Sequence, residues 1–496
     1  MKNKANKKKV SARKTELPAS RSVAETNADT LRAVASNPSA PFKMQPEEIE
    51  SALVTGQHAD LLKRYFGERE YAELQALARD ASARSVRGGP RVLILPGIMG
   101  STLGSERPFF FDDVIWVDPI DIAAGHLTTL SLIPGPTRHK ALGVILFSYL
   151  RIKLALKLAG YDADFHPFDW RQSVEELGQD LAKRIAAEPA KEMSLVAHSM
   201  GGLVARAALK SAGQKVKRLI MLGTPNFGSF VPIQALRGIY PIIRKIALLD
   251  LTHSPEELAQ KIFNTFPGLY QMLPAPEKFS VFDVFDLQSW PKAGPTPRQP
   301  LLDSGRKTQS FLAAPDDRFT LIAGINQDTV TDAHFDGTEF TFSVSKDGDG
   351  TVPLTFAQLP NVRTYYVEES HGSLPNNSKV ITAVKDLLSL GTTDALPQQW
   401  VPQRAAPRVI DEATVRSAVP DAATAGQGAA ISDKAVRELL EEVAAPTSKE
   451  EQLAVTTSPV ASVKGVVVGR KLQRRLDLRL AHGSITEANS KAYVLG

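Results

Sequence analysis

A chain of 496 residues, 43% hydrophobic and 23% charged, holds enough apolar material for a large core, so a globular body is expected. The formal charge of +5 belongs to one end. Lys2, Lys4, Lys7, Lys8, Lys9, Arg13 and Lys14 stand against Glu16 in the first 20 residues, a local +6 that leaves the rest at about −1. The body thus carries no bulk charge signal for nucleic acid, and none is expected as a partner. The absence of cysteine excludes disulfides, thiolate metal sites and a cysteine nucleophile, and suits a reducing cytoplasm. No apolar run is long enough to cross a bilayer, and the basic N-terminus lacks the apolar stretch of a signal peptide. A cytoplasmic protein is the expectation.

In chain order, residues 1–41 are polar and aperiodic and read as a disordered basic leader. Residues 42–87 carry Ile49, Leu53, Leu61, Leu62, Tyr65, Phe66, Leu74 and Leu77 at helical spacing, broken near Gly56 and Gly67, which predicts a short helical extension. Strands then alternate with helices. Arg91–Leu95 reads as a buried strand, Leu142–Leu158 as a helix and Tyr161–Phe168 as a strand. Val174–Ala187 follows as an amphipathic helix, and Met193–Ala197 as a strand feeding a helix over Gly201–Ser211. Val216–Gly223, Phe319–Ile325 and Val362–Val367 are further strands, and Ser378–Leu390 a closing helix. Phe335–Val344 reads as a hairpin turning at Asp336-Gly337. Such alternation with continuously apolar strands predicts an α/β fold, a mainly parallel sheet with helices on both faces. Two long stretches, Thr102–Lys140 and Phe227–Asp316, interrupt it. The second is too apolar for a solvated loop and reads as a cap. Residues 393–431 read as a linker, and 432–496 as a short helix and a strand-like segment. The apolar final residues suggest the start of a further domain.

Chemistry concentrates in three places. Ala197-His198-Ser199-Met200-Gly201 joins strand to helix in the manner of a nucleophile elbow, a strained turn that exposes the serine hydroxyl, with Ala197 where glycine is usual. Lys346-Asp347-Gly348-Asp349-Gly350 follows a strand and can aim a carboxylate at the sheet edge. Glu369-Ser370-His371-Gly372 follows the last strand. A serine needs an imidazole to take its proton, and the imidazole needs a carboxylate to hold its tautomer. The order serine, aspartate, histidine is that of α/β-hydrolases. His198 is a rival base, disfavoured because adjacent side chains at a strand end point apart. Oxyanion donors are expected at the backbone N–H groups of Met200 and of Ile98, in the Pro96–Gly100 turn, each worth roughly 3–4 kcal/mol in the transition state.

Val92–Leu103, Phe168-Asp169-Trp170-Arg171, Ala197–Gly202, Leu222–Asn226 and Gly348–Pro353 together resemble the lecithin:cholesterol acyltransferase family over about Pro90–Leu390. That family includes lysosomal phospholipase A2 and phospholipid:diacylglycerol acyltransferases. The resemblance implies an α/β-hydrolase domain over 88–392 with its cap at about 227–316. It also implies an acyl-enzyme formed from a lipid ester, and no cofactor or metal. By position it makes Ser199 the nucleophile, Asp349 rather than Asp347 the carboxylate, His371 the base, and Ile98 and Met200 the oxyanion donors. Asp169-Trp170-Arg171 is read as scaffold beneath the site. The expectation is a serine-dependent lipid esterase or O-acyltransferase in transient contact with a membrane surface. An inositol-lipid deacylase or other ester hydrolase on the same triad is the rival within enzymes. A catalytically idle interaction scaffold is the rival outside them.

Overall fold

A computed structural model describes residues 43–84, 89–106, 113–135, 138–250, 252–401, 403 and 406–419. The leader expected at 1–41, the segment expected at 432–496 and residues 420–431 lie outside the described residues. The strands are β1 (Arg91–Leu95), β2 (Ser101–Ser105), β3 (Asp113–Val114), β4 (Lys140–Val144), β5 (Asp162–Phe165), β6 (Met193–His198), β7 (Val216–Leu222), β8 (Phe319–Gly324), β9 (Thr329–Phe335), β10 (Phe340–Ser345), β11 (Arg363–Val367) and β12 (Arg408–Asp411). Six of them form one parallel sheet in the order β11-β8-β7-β6-β1-β5. The longer helices are α1 (Pro46–Thr55), α2 (Ala59–Phe66), α3 (Glu68–Arg84), α4 (Leu146–Leu158), α5 (Val174–Ala187), α6 (Met200–Ala212), α7 (Pro241–Leu249) and α8 (Ser378–Ser389).

Alternate residues along each central strand point to opposite faces, and they fall into two separate cores. Leu93, Leu95, Leu195, Ala197, Leu219, Met221 and Leu321 join the side chains of α5, α6 and the segment between β7 and β8. Val92, Ile94, Val196, Ile220, Leu222, Ile322 and Tyr365 join α4, α8 and the N-terminal helices. Covered on both faces, β6 is buried at every position. This is the α/β-hydrolase arrangement. The start of α5 is set by Ser173, whose hydroxyl accepts the Glu176 N–H while the Glu176 carboxylate accepts the Ser173 N–H. Among the N-terminal helices, Ile49, Leu53, Leu62, Tyr65 and Leu74 are buried against α4. The Lys153 ammonium, 2% exposed, pairs with Glu50 at 2.6 Å across that contact.

Three expectations changed. The helix read over Leu142–Leu158 begins only at Leu146, because 140–144 pair with β2 as β4, and the Ile145 N–H then bonds to the Gly100 carbonyl. The same pairing gives the stretch 102–140 an antiparallel sheet of its own, β3-β2-β4. The linker read over 393–431 is not continuous either. Arg408–Asp411 adds to β10 as β12, and Asp411 caps a helix over Glu412–Ala418 by accepting the Thr414 N–H at 2.7 Å. Among the described residues no helix is long and apolar enough to cross a membrane.

Candidate active site

At the C-terminal end of β6 the chain reverses into α6 through Ser199, at φ 52° and ψ −126°. A left-handed serine costs of order 1–3 kcal/mol and persists only where its surroundings hold it. Here the Ser199 N–H is held by the Leu222 carbonyl at 2.9 Å. Gly201 allows the close approach, since a Cβ there would lie 2.4 Å from the Pro96 carbonyl oxygen. Ser199 itself is only 4% exposed, against the exposed hydroxyl expected from the motif. The pocket over it is walled by Val231, Pro232, Ala235, Ile242, Leu269 and Met272, all from the segment inserted between β7 and β8.

The other motif residues converge on this point. His371 opens the turn after β11, and its Nε2 lies 2.9 Å from Ser199 Oγ. Its Nδ1 lies 2.7 Å from Asp349 Oδ2, and its N–H donates to the Asp349 carbonyl at 2.8 Å. The second Asp349 oxygen accepts the N–H groups of Thr351 and Val352 at 3.0 and 2.7 Å, which orients the carboxylate. Asp347 instead accepts a hydrogen bond from the Ser345 hydroxyl. Gly223 makes the space, because a Cβ there would lie 3.0 Å from both Asp349 Oδ2 and His371 Nδ1. Ile98 lines the pocket and Met200 is the first residue of α6. Beneath them the Trp170 indole donates to the Ser101 carbonyl at 3.0 Å. Arg171 donates to Leu130 and His139 carbonyls while paired with Asp169.

His198 meets partners other than Ser199 through both ring nitrogens. Its Nδ1 lies 2.8 Å from Tyr149 Oη and its Nε2 2.9 Å from the His371 carbonyl oxygen. Tyr149 and Tyr240, a second phenol lining the pocket, carry no mark in the sequence that singles them out. Tyr149 sits in a helix rich in leucine and isoleucine, where an aromatic carries no signal beyond core packing. Burial pushes both phenols up, so they stay protonated donors. Among the described residues no group of three or more His, Cys, Asp or Glu could hold a metal ion.

Two buried imidazoles give the fold a pH limit. Burial, then the Arg184 guanidinium, lowers His166 to about 4, and burial, then His371, holds His198 well below its ordinary value. As pH falls below about 6.5 the unfolded chain takes up these protons and the folded chain does not. Unfolding free energy is therefore expected to fall with pH, by about 1.4 kcal/mol per pH unit for each histidine, until the folded group titrates. For His166 that window closes near 4. Urea unfolding at several pH values checks this, and His166→Gln should lower the slope by one proton. An unchanged slope would contradict it.

Residues 148–382 match the family model for lecithin:cholesterol acyltransferase. No curated protein matches the chain. Among solved structures, mature Bacillus licheniformis lipase BlEst2 is 16% identical, with 62% of this chain and 94% of that one covered and a TM-score of 0.34. The Tle4–Tli4 complex is 13% identical, with 60% and 97% covered and a TM-score of 0.38. The metagenomic carboxyl esterase MGS0156 is 14% identical, with 58% and 65% covered and a TM-score of 0.28. Likenesses this distant carry no argument about activity.

Proposed function

We propose that the chain, whose residues 148–382 match the family model for lecithin:cholesterol acyltransferase, cleaves lipid esters through an acyl-enzyme on Ser199. That match supports a lipid acyltransferase or esterase. The observation that favours the serine mechanism is the continuous chain Ser199 Oγ–His371 Nε2 and His371 Nδ1–Asp349 Oδ2, at 2.9 and 2.7 Å, beside an apolar pocket.

In this reading Ser199 Oγ attacks the ester carbonyl carbon while His371 Nε2 takes the hydroxyl proton. Asp349 holds the Nδ1–H tautomer and offsets the imidazolium charge. The carbonyl oxygen becomes an oxyanion received by the Ile98 and Met200 N–H groups. His371 returns the proton to the departing alcohol oxygen as the carbon–oxygen bond breaks, leaving an ester on Ser199. Water or a second alcohol then attacks that ester by the reverse sequence, which frees either a fatty acid or a new ester. The apolar walls from the cap take the acyl chain and thin out the water at the site, so an alcohol can compete with it. An insoluble substrate brings the enzyme to a lipid surface in a transient contact.

The test supplies phosphatidylcholine or triacylglycerol with a labelled long-chain alcohol and measures free fatty acid and transferred ester. Acyl release from a long-chain lipid, lost in Ser199→Ala, is expected. Release that survives in Ser199→Ala, or no release from any lipid ester by the folded chain, would overturn the proposal.

A further inference from the structure

His198 takes no part in the acyl-transfer steps, yet both its ring nitrogens are engaged in a buried place. A carbonyl oxygen can only accept, so the hydrogen between His198 and the His371 carbonyl sits on Nε2. Burial and the neighbouring His371 keep the ring neutral, which leaves Nδ1 a lone pair. The Tyr149 hydroxyl must therefore donate to Nδ1, at 2.8 Å. Its oxygen in turn accepts the Gly97 N–H, at 2.9 Å. Three hydrogen bonds, each with a single possible direction, thus run in series from the turn after β1 to the turn after β11.

Both ends of the series matter to the reaction. Gly97 precedes Ile98, and a Cβ on Gly97 would lie 2.9 Å from Ser199 Cβ, so this turn sits against the nucleophile. The other end is the carbonyl of His371, whose ring lies 4.9 Å from the His198 ring, centroid to centroid. We propose that Tyr149 and His198 are positioning residues: their relay holds the turn carrying the Ile98 N–H in register with the His371 imidazole, so that oxyanion donor and base address the same acyl carbon. The inference rests on the acyl-enzyme reading of Ser199, His371 and Asp349. A relay this close to the reacting atoms controls placement at the scale of an ångström, where misplacement costs on the order of 100-fold in rate.

The test is a double-mutant cycle on kcat for an ester substrate, read well below each variant's Tm. Tyr149→Phe keeps the ring and removes only the hydroxyl. It should lower kcat on the order of 10- to 100-fold with KM within about threefold. His198→Phe should do the same, and the double variant should be no worse than the poorer single one, since either change breaks one relay. Two buried residues that merely pack would give losses that follow Tm and multiply. In the parent, ring-nitrogen NMR should find His198 neutral and protonated on Nε2 at about pH 6.5, where an ordinary imidazole is half charged. This measurement stands whether or not His198→Phe folds. An active parent whose Tyr149→Phe variant keeps kcat within threefold overturns the inference alone. So does a His198 ring that is half charged at about pH 6.5 or carries its hydrogen on Nδ1. A folded parent that releases no acyl group removes the premise, and the inference with it.

Discussion

Ser199→Ala is expected to lower kcat for ester cleavage by on the order of 10⁴- to 10⁶-fold, with KM and Tm close to the parent. The change removes one oxygen and leaves the Leu222 bond to the Ser199 N–H and the Gly201 approach untouched. The pocket keeps its shape while the reacting atom is gone. His371→Ala should match it, because an unassisted serine hydroxyl is a weak nucleophile. Asp349→Asn should cost on the order of 10⁴-fold, since an amide can offer a hydrogen to Nδ1 and favour the wrong tautomer. The double variant Ser199→Ala/His371→Ala should be hardly worse than either single one, as the groups act as a unit. Steady-state kinetics on one ester decides this. A Ser199→Ala enzyme keeping a tenth of the parent rate would contradict the assignment.

Glu412→Gln is expected to destabilise the fold by about 3–5 kcal/mol, the cost of leaving a buried charge without its partner. Glu412 and Arg237 are each 4% exposed and meet through two bonds, at 3.1 and 3.2 Å. The third Arg237 nitrogen donates to the Ala293 and Pro295 carbonyls, so the guanidinium cannot turn to water when the carboxylate is lost. Nearby, Arg244 Nε, on α7, donates to the Val419 carbonyl at 2.9 Å, and Arg416 pairs with Glu256. Together these tie the helix 412–418 to the segment that walls the pocket. Replacing both partners, Arg237→Met with Glu412→Leu, should cost clearly less than Glu412→Gln alone. Equilibrium unfolding in urea measures both, and a Glu412→Gln cost under about 1 kcal/mol would contradict this account.

The parallel sheet is legible in the sequence because its strands are short, continuously apolar runs separated by amphipathic helices such as 174–187. The Ser199 turn is legible because a backbone reversal needs small residues, here Ala197 and Gly201, at set places around one serine. What escapes depends on partners far along the chain. Residues 140–144 have an apolar run that suits a helix, and only pairing with β2 makes them a strand. Arg408–Asp411 is too short to signal a strand until β10 offers it an edge. Residues 227–316 read as a cap, but the motif alone leads to an exposed serine, because covering Ser199 requires Val231 and Leu269, distant in the chain, to line one pocket over it. Tyr149 belongs to the same class. Its hydroxyl matters only because Gly97 and His198, 52 and 49 residues away, lie against it.

The most direct test of the central claim is to incubate the purified chain with a fluorophosphonate, then map the adduct by peptide mass spectrometry in parent and His371→Ala. A single adduct on Ser199 that fades strongly without His371 is the expected result. An adduct elsewhere, equal labelling without His371, or none on a folded chain with detergent present would contradict it.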